Sequence, residues 1–311
     1  LYPSAAGLND GSFVVIWQSD DTSNYGIYAQ RFAADGTKTG GEVLVNTTTA
    51  NIQYEGTVTA LTNGGYAVTW AGYNATTSSE DVYARAFDAN GAPATGEFVV
   101  NTITTGTQRT IGQIAESITS LTGGRFAVTF MDMGGADGSS YGIYARVFEA
   151  DGTPVNAAQV LVNTTTLYDQ YYSSIGTLAD GGFVVTWSDP NGVDGSGWSV
   201  LAQRFDASGA RVGGEFQPNT YTYSTQINSK VEQLSDGGFV IVWQSYGVDG
   251  NGQDAIAGQR YAANGAKAGG EFVVNSTNEW SAEYPSITLR EDGALVVVWR
   301  GQGGQAIEQT I

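Results

Sequence analysis

Leu234-Ser235-Asp236-Gly237-Gly238-Phe239-Val240-Ile241-Val242-Trp243-Gln244-Ser245 carries the two signals that decide the fold, a tight turn and an apolar strand closed by an aromatic residue. Asp-Gly-Gly accepts positive φ and closes a hairpin. The pentad Phe239 to Trp243 returns as Phe13 to Trp17, Tyr66 to Trp70, Phe126 to Phe130, Phe183 to Trp187 and Leu295 to Trp299. The closing aromatics are spaced by 53, 60, 57, 56 and 56 residues, so the chain is a sixfold repeat of a unit near 56. A fixed period of this length marks a repeat architecture.

Outward from the pentad, the rest of the unit reads as strands. A short strand precedes each turn, as in Thr57 to Leu61 or Ser286 to Leu289. A third strand follows, as Ile27 to Phe32, Val82 to Phe87, Ile143 to Phe148, Val200 to Phe205 and Ile256 to Tyr261. Turns at Asp35-Gly36, Asn90-Gly91, Asp151-Gly152, Ser208-Gly209 and Asn264-Gly265 then lead into a fourth strand ending at Asn46, Asn101, Asn163, Asn219 or Asn275. No helical period competes with this pattern. Four antiparallel strands repeated six times predict an all-β fold, a single β-propeller domain spanning 1–311, with blades at about 1–50, 51–105, 106–166, 167–223, 224–279 and 280–311. The last blade lacks the sequence for its fourth strand. Pentads apolar on both faces suit sheets sandwiched between neighbours. Small residues on the third strand, Ala29, Ala84, Ala145, Ala202 and Gly258, are expected where the next sheet comes close.

Composition excludes several function classes. The 311 residues hold 31 Asp plus Glu against 13 Lys plus Arg, a net charge of -18, and the basic residues are scattered singly. Nucleic acid and anionic membrane surfaces are therefore not expected partners. The longest apolar run, Ala294 to Trp299, is six residues, far short of the roughly 20 that a membrane-spanning helix needs. With no Cys and no His, the chain lacks thiol chemistry, disulfides, Cys/His zinc sites and histidine triads. Any metal site must be built from oxygen. Leu1 is not an initiator Met and no basic and apolar leader precedes the repeats, so the sequence reads as a piece of a longer chain.

Function is expected on the face carrying the second-to-third and fourth-to-first loops, because only those vary between units. Three of them contain Asp-Gly followed by small polar residues, at Asp137, Asp194 and Asp249, with Asp189 and Asp254 close by in sequence. Carboxylates and glycine-freed carbonyls are what Ca²⁺ takes as ligands, so these five residues are the candidate metal ligands. The competing reading is that Asp-Gly simply turns the chain. Aromatic residues outside the repeated strands, Tyr168, Tyr171, Tyr172, Trp198, Tyr221, Tyr223 and Trp280, are candidates for stacking on a glycan or a partner protein, with Tyr54 and Tyr284 in the same class. The recurring Trp of the pentads reads as core, since Phe130 substitutes for it once. Arg31, Arg204 and Arg260 share one third-strand position while Arg85 and Arg146 sit one residue earlier, on the opposite face, so no uniform arginine pocket recurs.

The string quoted at the outset, followed by Gln259-Arg260-Tyr261 and Gly269-Gly270-Glu271-Phe272-Val273-Val274-Asn275, resembles repeats in large secreted bacterial proteins of the RTX, hemolysin-type calcium-binding kind. The resemblance covers almost the whole chain and implies an extracellular or cell-surface setting, a larger adhesin-like parent chain and a calcium-rich medium. The glycine-aspartate nonapeptides that bind calcium in those proteins are absent. The resulting expectation is a non-catalytic module that presents its loop face to carbohydrate or protein. The alternative is a polysaccharide-active enzyme, glycosidase or lyase, with an Asp/Glu/Tyr site on the same face. No acid pair stands out from the pattern.

Overall fold

The computed structural model describes residues 1–21, 23–110, 116–275, 281–290, 292–301 and, as backbone, 306–310. Among them there is no α-helix, one 3-10 turn at Thr122–Gly124, and six antiparallel sheets, the blades of a β-propeller. The first sheet is Ser4–Gly7, Phe13–Asp20, Tyr25–Phe32 and Lys38–Leu44. The second is Gln53–Ala60, Tyr66–Asn74, Ser79–Phe87 and Phe98–Val99. The third is Ile118–Ser120, Phe126–Asp132, Gly142–Phe148 and Val160–Leu161, with a fifth short strand, Gln108–Arg109, beside Met131 and Asp132. The fourth comprises Tyr171–Thr177, Phe183–Asp189, Ser199–Phe205 and Arg211–Phe216, and the fifth Gln226–Gln233, Phe239–Tyr246, Asp254–Tyr261 and Phe272–Val273. The sixth has three strands, Glu283–Leu289, Leu295–Arg300 and Ala306–Thr310. The chain divides into two compact units, Leu1–Val162 with Ala207–Gly209, and Asn163–Asp206 with Ala210–Ile311. No described helix is long and apolar enough to cross a membrane.

The pentads form the core. In the second to fifth sheets their residues are buried on both faces, whereas in the first and sixth burial alternates. Trp70, Trp187 and Trp243 are fully buried, and the indole nitrogens of the last two have no hydrogen-bond partner, so shape and apolar area fix these positions. Across each second and third strand an aromatic pair stacks, Phe13 on Phe32, Tyr66 on Phe87, Phe126 on Phe148, Phe183 on Phe205 and Phe239 on Tyr261, with centroids 4.7–5.5 Å apart. Such pairs add roughly 0.5–1.5 kcal/mol each beyond their buried area.

Two polar devices explain repeated residues that the apolar pattern leaves open. Asn46, Asn101, Asn219 and Asn275 each accept the N–H of a third-strand residue, Ile27, Val82, Val200 or Ile256. The amide groups of Asn46, Asn101, Asn163 and Asn219 donate to Gln53, Gln108, Gln170 and Gln226, seven residues on, at 3.0–3.3 Å. These bonds fix where each next first strand begins. Glu215 in a fourth strand, and Glu97, Gln159 and Glu271 each one residue before one, accept the backbone N–H of Thr164, Thr47, Thr102 and Thr220, so the chain entering one blade is tied to the outer edge of that blade.

The Asp-Gly-Gly turn needs both glycines for different reasons. Gly237 has φ +84°, and a Cβ on Gly238 would lie 2.2 Å from the Tyr261 carbonyl oxygen. Other details differ from the sequence reading. Fourth strands shrink to two residues in three sheets, and a Cβ on Gly258 would meet the Phe272 ring of its own blade. First strands start upstream of the expected sites because they carry a bulge, at Tyr54/Thr57, Tyr171/Ser174, Ile227/Lys230 and Glu283/Ser286. The bulge holds Glu55, Tyr172, Asn228 and Tyr284 at φ of 53–57°, a backbone state rare for residues other than glycine.

Candidate functional site

Four first strands carry the bulge, and in the second sheet the bulged residue is a glutamate. Glu55 is partly buried there, and its carbonyl accepts the Thr110 hydroxyl at 2.9 Å, which ties the bulge to the neighbouring chain segment. Burial pushes its carboxyl up to about 7, against the pull of Arg109 and with a further push from Glu80. Glu80 stands at the start of the adjacent third strand, opposite Tyr73. Arg109, on the short strand Gln108–Arg109, donates its Nε–H to the Tyr54 hydroxyl at 2.7 Å, pairs with the Glu80 carboxylate 2.9 Å from the same nitrogen, and has its guanidinium 5.0 Å from the Tyr54 ring centre. Burial, then a hydrogen bond to Glu80, raises the Tyr54 hydroxyl far above its ordinary range. Glu80 and Arg109 keep 24% and 36% of their side chains exposed, so the cluster opens to solvent.

Tyr54, Glu55, Glu80 and Arg109 therefore form one partly exposed cluster with two carboxyl groups in unlike surroundings. One is desolvated and raised to about 7; the other is paired with a guanidinium. Two carboxyl groups in unlike environments are the arrangement acid and base chemistry requires. Backbone held in a sparsely populated region is also typical of functional positions.

Sequence reasoning named Tyr54 among the loop aromatics and missed the other three. The signal was present in the repeated Asn-x6-Gln spacing. The residue two places after the Gln is Glu55, Thr110, Tyr172 or Asn228, and only one of these is acidic.

The candidate metal ligands do not gather. Among the described residues no three acids come together. Asp137 and Asp249 each spend one oxygen on a turn, accepting the N–H of Ser139 and Asn251, and their second oxygens are buried without a hydrogen bond. Asp194 also turns onto Ser196, but its second oxygen accepts amide N–H groups from Gln217 and Asn219 at 3.2 and 3.1 Å. The Asn219 amide cannot rotate to offer oxygen instead, since that oxygen already accepts the Val200 N–H. Asp189 ends a second strand, fully buried, accepting the Asn191 N–H at 2.8 Å, and burial raises its carboxyl. Asp254 lies within a third strand and accepts the Ser281 hydroxyl at 3.0 Å.

Of the candidate aromatics, Tyr171, Tyr172 and Trp198 meet in one cluster with ring centroids 5.4–6.2 Å apart. Tyr168 and Tyr223 stand exposed on adjoining loops. Tyr221 is a structural tie instead, its hydroxyl donating to the Gly247 carbonyl at 3.0 Å. Tyr284 carries the Arg300 guanidinium 4.5 Å from its ring centre. Trp280 lies outside the described residues.

No protein-family model and no curated protein sequence matches the chain. Solved structures do match. An α-L-arabinofuranosidase from Fusarium graminearum, in complex with an iminosugar inhibitor, aligns over 100% of this chain and 91% of its own, at 15% identity and a TM-score of 0.63. A protein of unknown function from Dyadobacter fermentans aligns over 99% and 92%, at 10% identity and 0.61. An α-L-arabinanase from Penicillium chrysogenum, complexed with arabinobiose, aligns over 100% and 92%, at 14% identity and 0.58. At these identities the likeness shows the β-propeller fold.

The expectation of a non-catalytic module, with no enzyme activity, is overturned by these neighbours, because the architecture that suggested a scaffold is shared along nearly its whole length with glycan-cleaving enzymes. The reading failed for a physical reason: Glu55 and Glu80 are 25 residues apart in sequence and meet only through a bulge and a strand pairing.

Proposed function

We propose that the chain is a polysaccharide-active enzyme of the glycoside hydrolase type, acting outside the cell. The observation that carries this is Glu55, a carboxyl raised to about 7 beside the Glu80–Arg109 pair. Breaking a glycosidic bond requires a proton for the leaving oxygen and a carboxylate to meet the positive charge developing at the sugar carbon. Glu55 is the proton donor, since burial raises its carboxyl to about 7 and leaves a large share of it protonated near neutral pH. Glu80 is the carboxylate, positioned by its ion pair with Arg109. Tyr54 keeps its proton, so it acts as a hydrogen-bonding wall of the site and not as a base.

The fold shared with an arabinofuranosidase and an arabinanase supports a neutral glycan as substrate. The resemblance to secreted bacterial repeats and the absence of cysteine support an exported setting.

The test is release of reducing sugar from linear arabinan and a panel of neutral polysaccharides. Glu55→Gln should reduce turnover at least a hundredfold while leaving the chain folded, and wild-type activity should fall as pH rises through about 7, where Glu55 loses its proton. Full activity in Glu55→Gln, or a rate that rises through that range, removes Glu55 as the acid.

A further inference from the structure

The second compact unit carries an aromatic cluster of its own. Tyr171 and Trp198 are 5.4 Å apart, Tyr171 and Tyr172 are 5.7 Å apart, and Tyr172 lies at 6.2 Å from Trp198 with 20° between their planes. None of the three is fully buried. Their placement is fixed from several sides. The Tyr171 hydroxyl donates to Asp169 at 2.5 Å, and the bulge holds Tyr172 at φ +56°. The Trp198 carbonyl accepts the Gln226 N–H at 2.9 Å. Behind Trp198, a Cβ on Gly197 would lie 1.9 Å from the Ser224 carbonyl oxygen, so the loop is pressed against its neighbour and cannot drift. Beside the cluster stand Tyr168 and Tyr223, 62% and 65% exposed, and Tyr168 also has positive φ. A half-buried group of rings, one of them held at positive φ and the group flanked in sequence by two exposed tyrosines, is not explained by core packing alone.

The polar groups around the rings define the ligand. The loops 164–170, 190–198 and 220–225 contain no Lys and no Arg, and they carry hydroxyls, amides and the Asp169 carboxylate, that of Asp194 being taken up by Ser196, Gln217 and Asn219. With a net charge of -18 on the whole chain, an anionic ligand would be repelled and would meet no basic residue on these loops. A ligand with apolar C–H faces and many hydroxyl donors fits both the ring faces and the acceptors. We infer that Tyr171, Tyr172 and Trp198 form a binding subsite for a neutral pyranose or furanose unit of a polysaccharide, not itself catalytic. Its role is to hold the polymer on the protein, and it stands whether or not Glu55 cleaves.

Native affinity electrophoresis of the full chain tests this, with linear arabinan, hydroxyethyl cellulose or polygalacturonate cast in the gel. Glu55→Gln is used as the background so that no polymer is cut. Retardation is expected with at least one of the two neutral polymers. Trp198→Ala should raise the apparent dissociation constant tenfold or more, and Tyr172→Phe, which keeps the ring, should leave it within about twofold. Tyr168→Ala changes an exposed side chain that folding does not need, and should weaken retardation two- to fivefold. Absence of retardation with both neutral polymers, an unchanged constant in Trp198→Ala and Tyr168→Ala, or retardation confined to polygalacturonate each overturns the subsite. A wild-type chain that is retarded yet releases no sugar refutes the hydrolase reading alone.

Discussion

Replacing Glu55 with Gln should make the protein more stable and less active, and the size of the gain should depend on pH. The folded-state carboxyl is raised from 4.5 to about 7 because burial penalises its charged form. Below the unfolded value both states hold the proton and the group contributes nothing. Between 4.5 and about 7 the unfolded chain has lost its proton and the folded chain has not, so stability falls as pH rises, and it levels off once both are ionised. A gap of about 2.5 units at 1.36 kcal/mol each gives a ceiling of about 3 kcal/mol, reduced by the partial exposure of the side chain. Gln is neutral at every pH and escapes this penalty.

Unit one, the part that contains Glu55, has 162 residues plus the three from Ala207 to Gly209. For that size each kcal/mol moves the melting temperature by roughly 2–4 °C, so the variant should melt up to roughly 10 °C higher than wild type at pH 8 and within a degree of it at pH 4. Differential scanning calorimetry across that range reads the effect directly. An offset that is the same at both pH values refutes the account, since it shows that packing, not a buried charge, distinguishes Glu from Gln.

Arg109→Gln removes the charge that pulls the Glu55 carboxyl down and leaves Glu80 unpaired, so the alkaline limb of the activity profile should move to higher pH; an unmoved limb separates the two residues. Asn219→Asp sets a second carboxylate against Asp194 and loses the donor to Gln226, and should cost roughly 3 kcal/mol or more in denaturant unfolding at pH 7, with partial recovery in acid. Gly238→Ala drives a methyl against the Tyr261 carbonyl and should destabilise by at least about 2 kcal/mol, whereas Ala in place of Ser12, the matching residue of the first turn, should cost under about 1 kcal/mol. Calcium held by the loops would use the unpaired oxygens of Asp137 and Asp249, so millimolar calcium should raise the melt relative to a chelator, less so in Asp137→Asn and Asp249→Asn and undiminished in Asp194→Asn; identical melts with and without chelator remove the ion.

The blades were legible because their signals are local. A pentad such as Phe239 to Trp243 and the turn before it specify a hairpin within a dozen residues, and six copies leave no other period to fit. The first strands were harder. Gln53, Tyr54 and Glu55 carry no alternation, since the bulge after Tyr54 breaks the period of two, and the true start is set by the Asn46–Gln53 bond. The candidate site was illegible for a related reason: its four members come from three strands of two blades, and only the fold brings Arg109 to Glu80. The Asp-Gly loops look alike in sequence and differ in structure: Asp194 answers to amide donors whose orientation is fixed by an unrelated backbone bond, whereas Asp137 and Asp249 each keep a buried oxygen without a hydrogen bond.

The repeat itself supplies the logic of the site. Four first strands repeat the bulge with whatever side chain sits there, so the fold fixes a position and leaves its chemistry open: Tyr172 in one blade, Asn228 in another, Tyr284 in a third and Glu55 in a fourth. At that position an amide or a phenol costs little, whereas a carboxylate is penalised by burial. Burial at the bulge therefore turns a residue choice into a pKa, and a single acid at a position otherwise filled by neutral side chains becomes a proton donor near pH 7. Transplanting the choice should transplant the property: a glutamate at Asn228, whose side chain is buried beside Gln244, should also titrate well above the usual carboxylate range. Carboxyl NMR titration of Asn228→Glu reads it, and an ordinary value there would show that the raised carboxyl at Glu55 depends on Glu80 and Arg109 and not on the bulge.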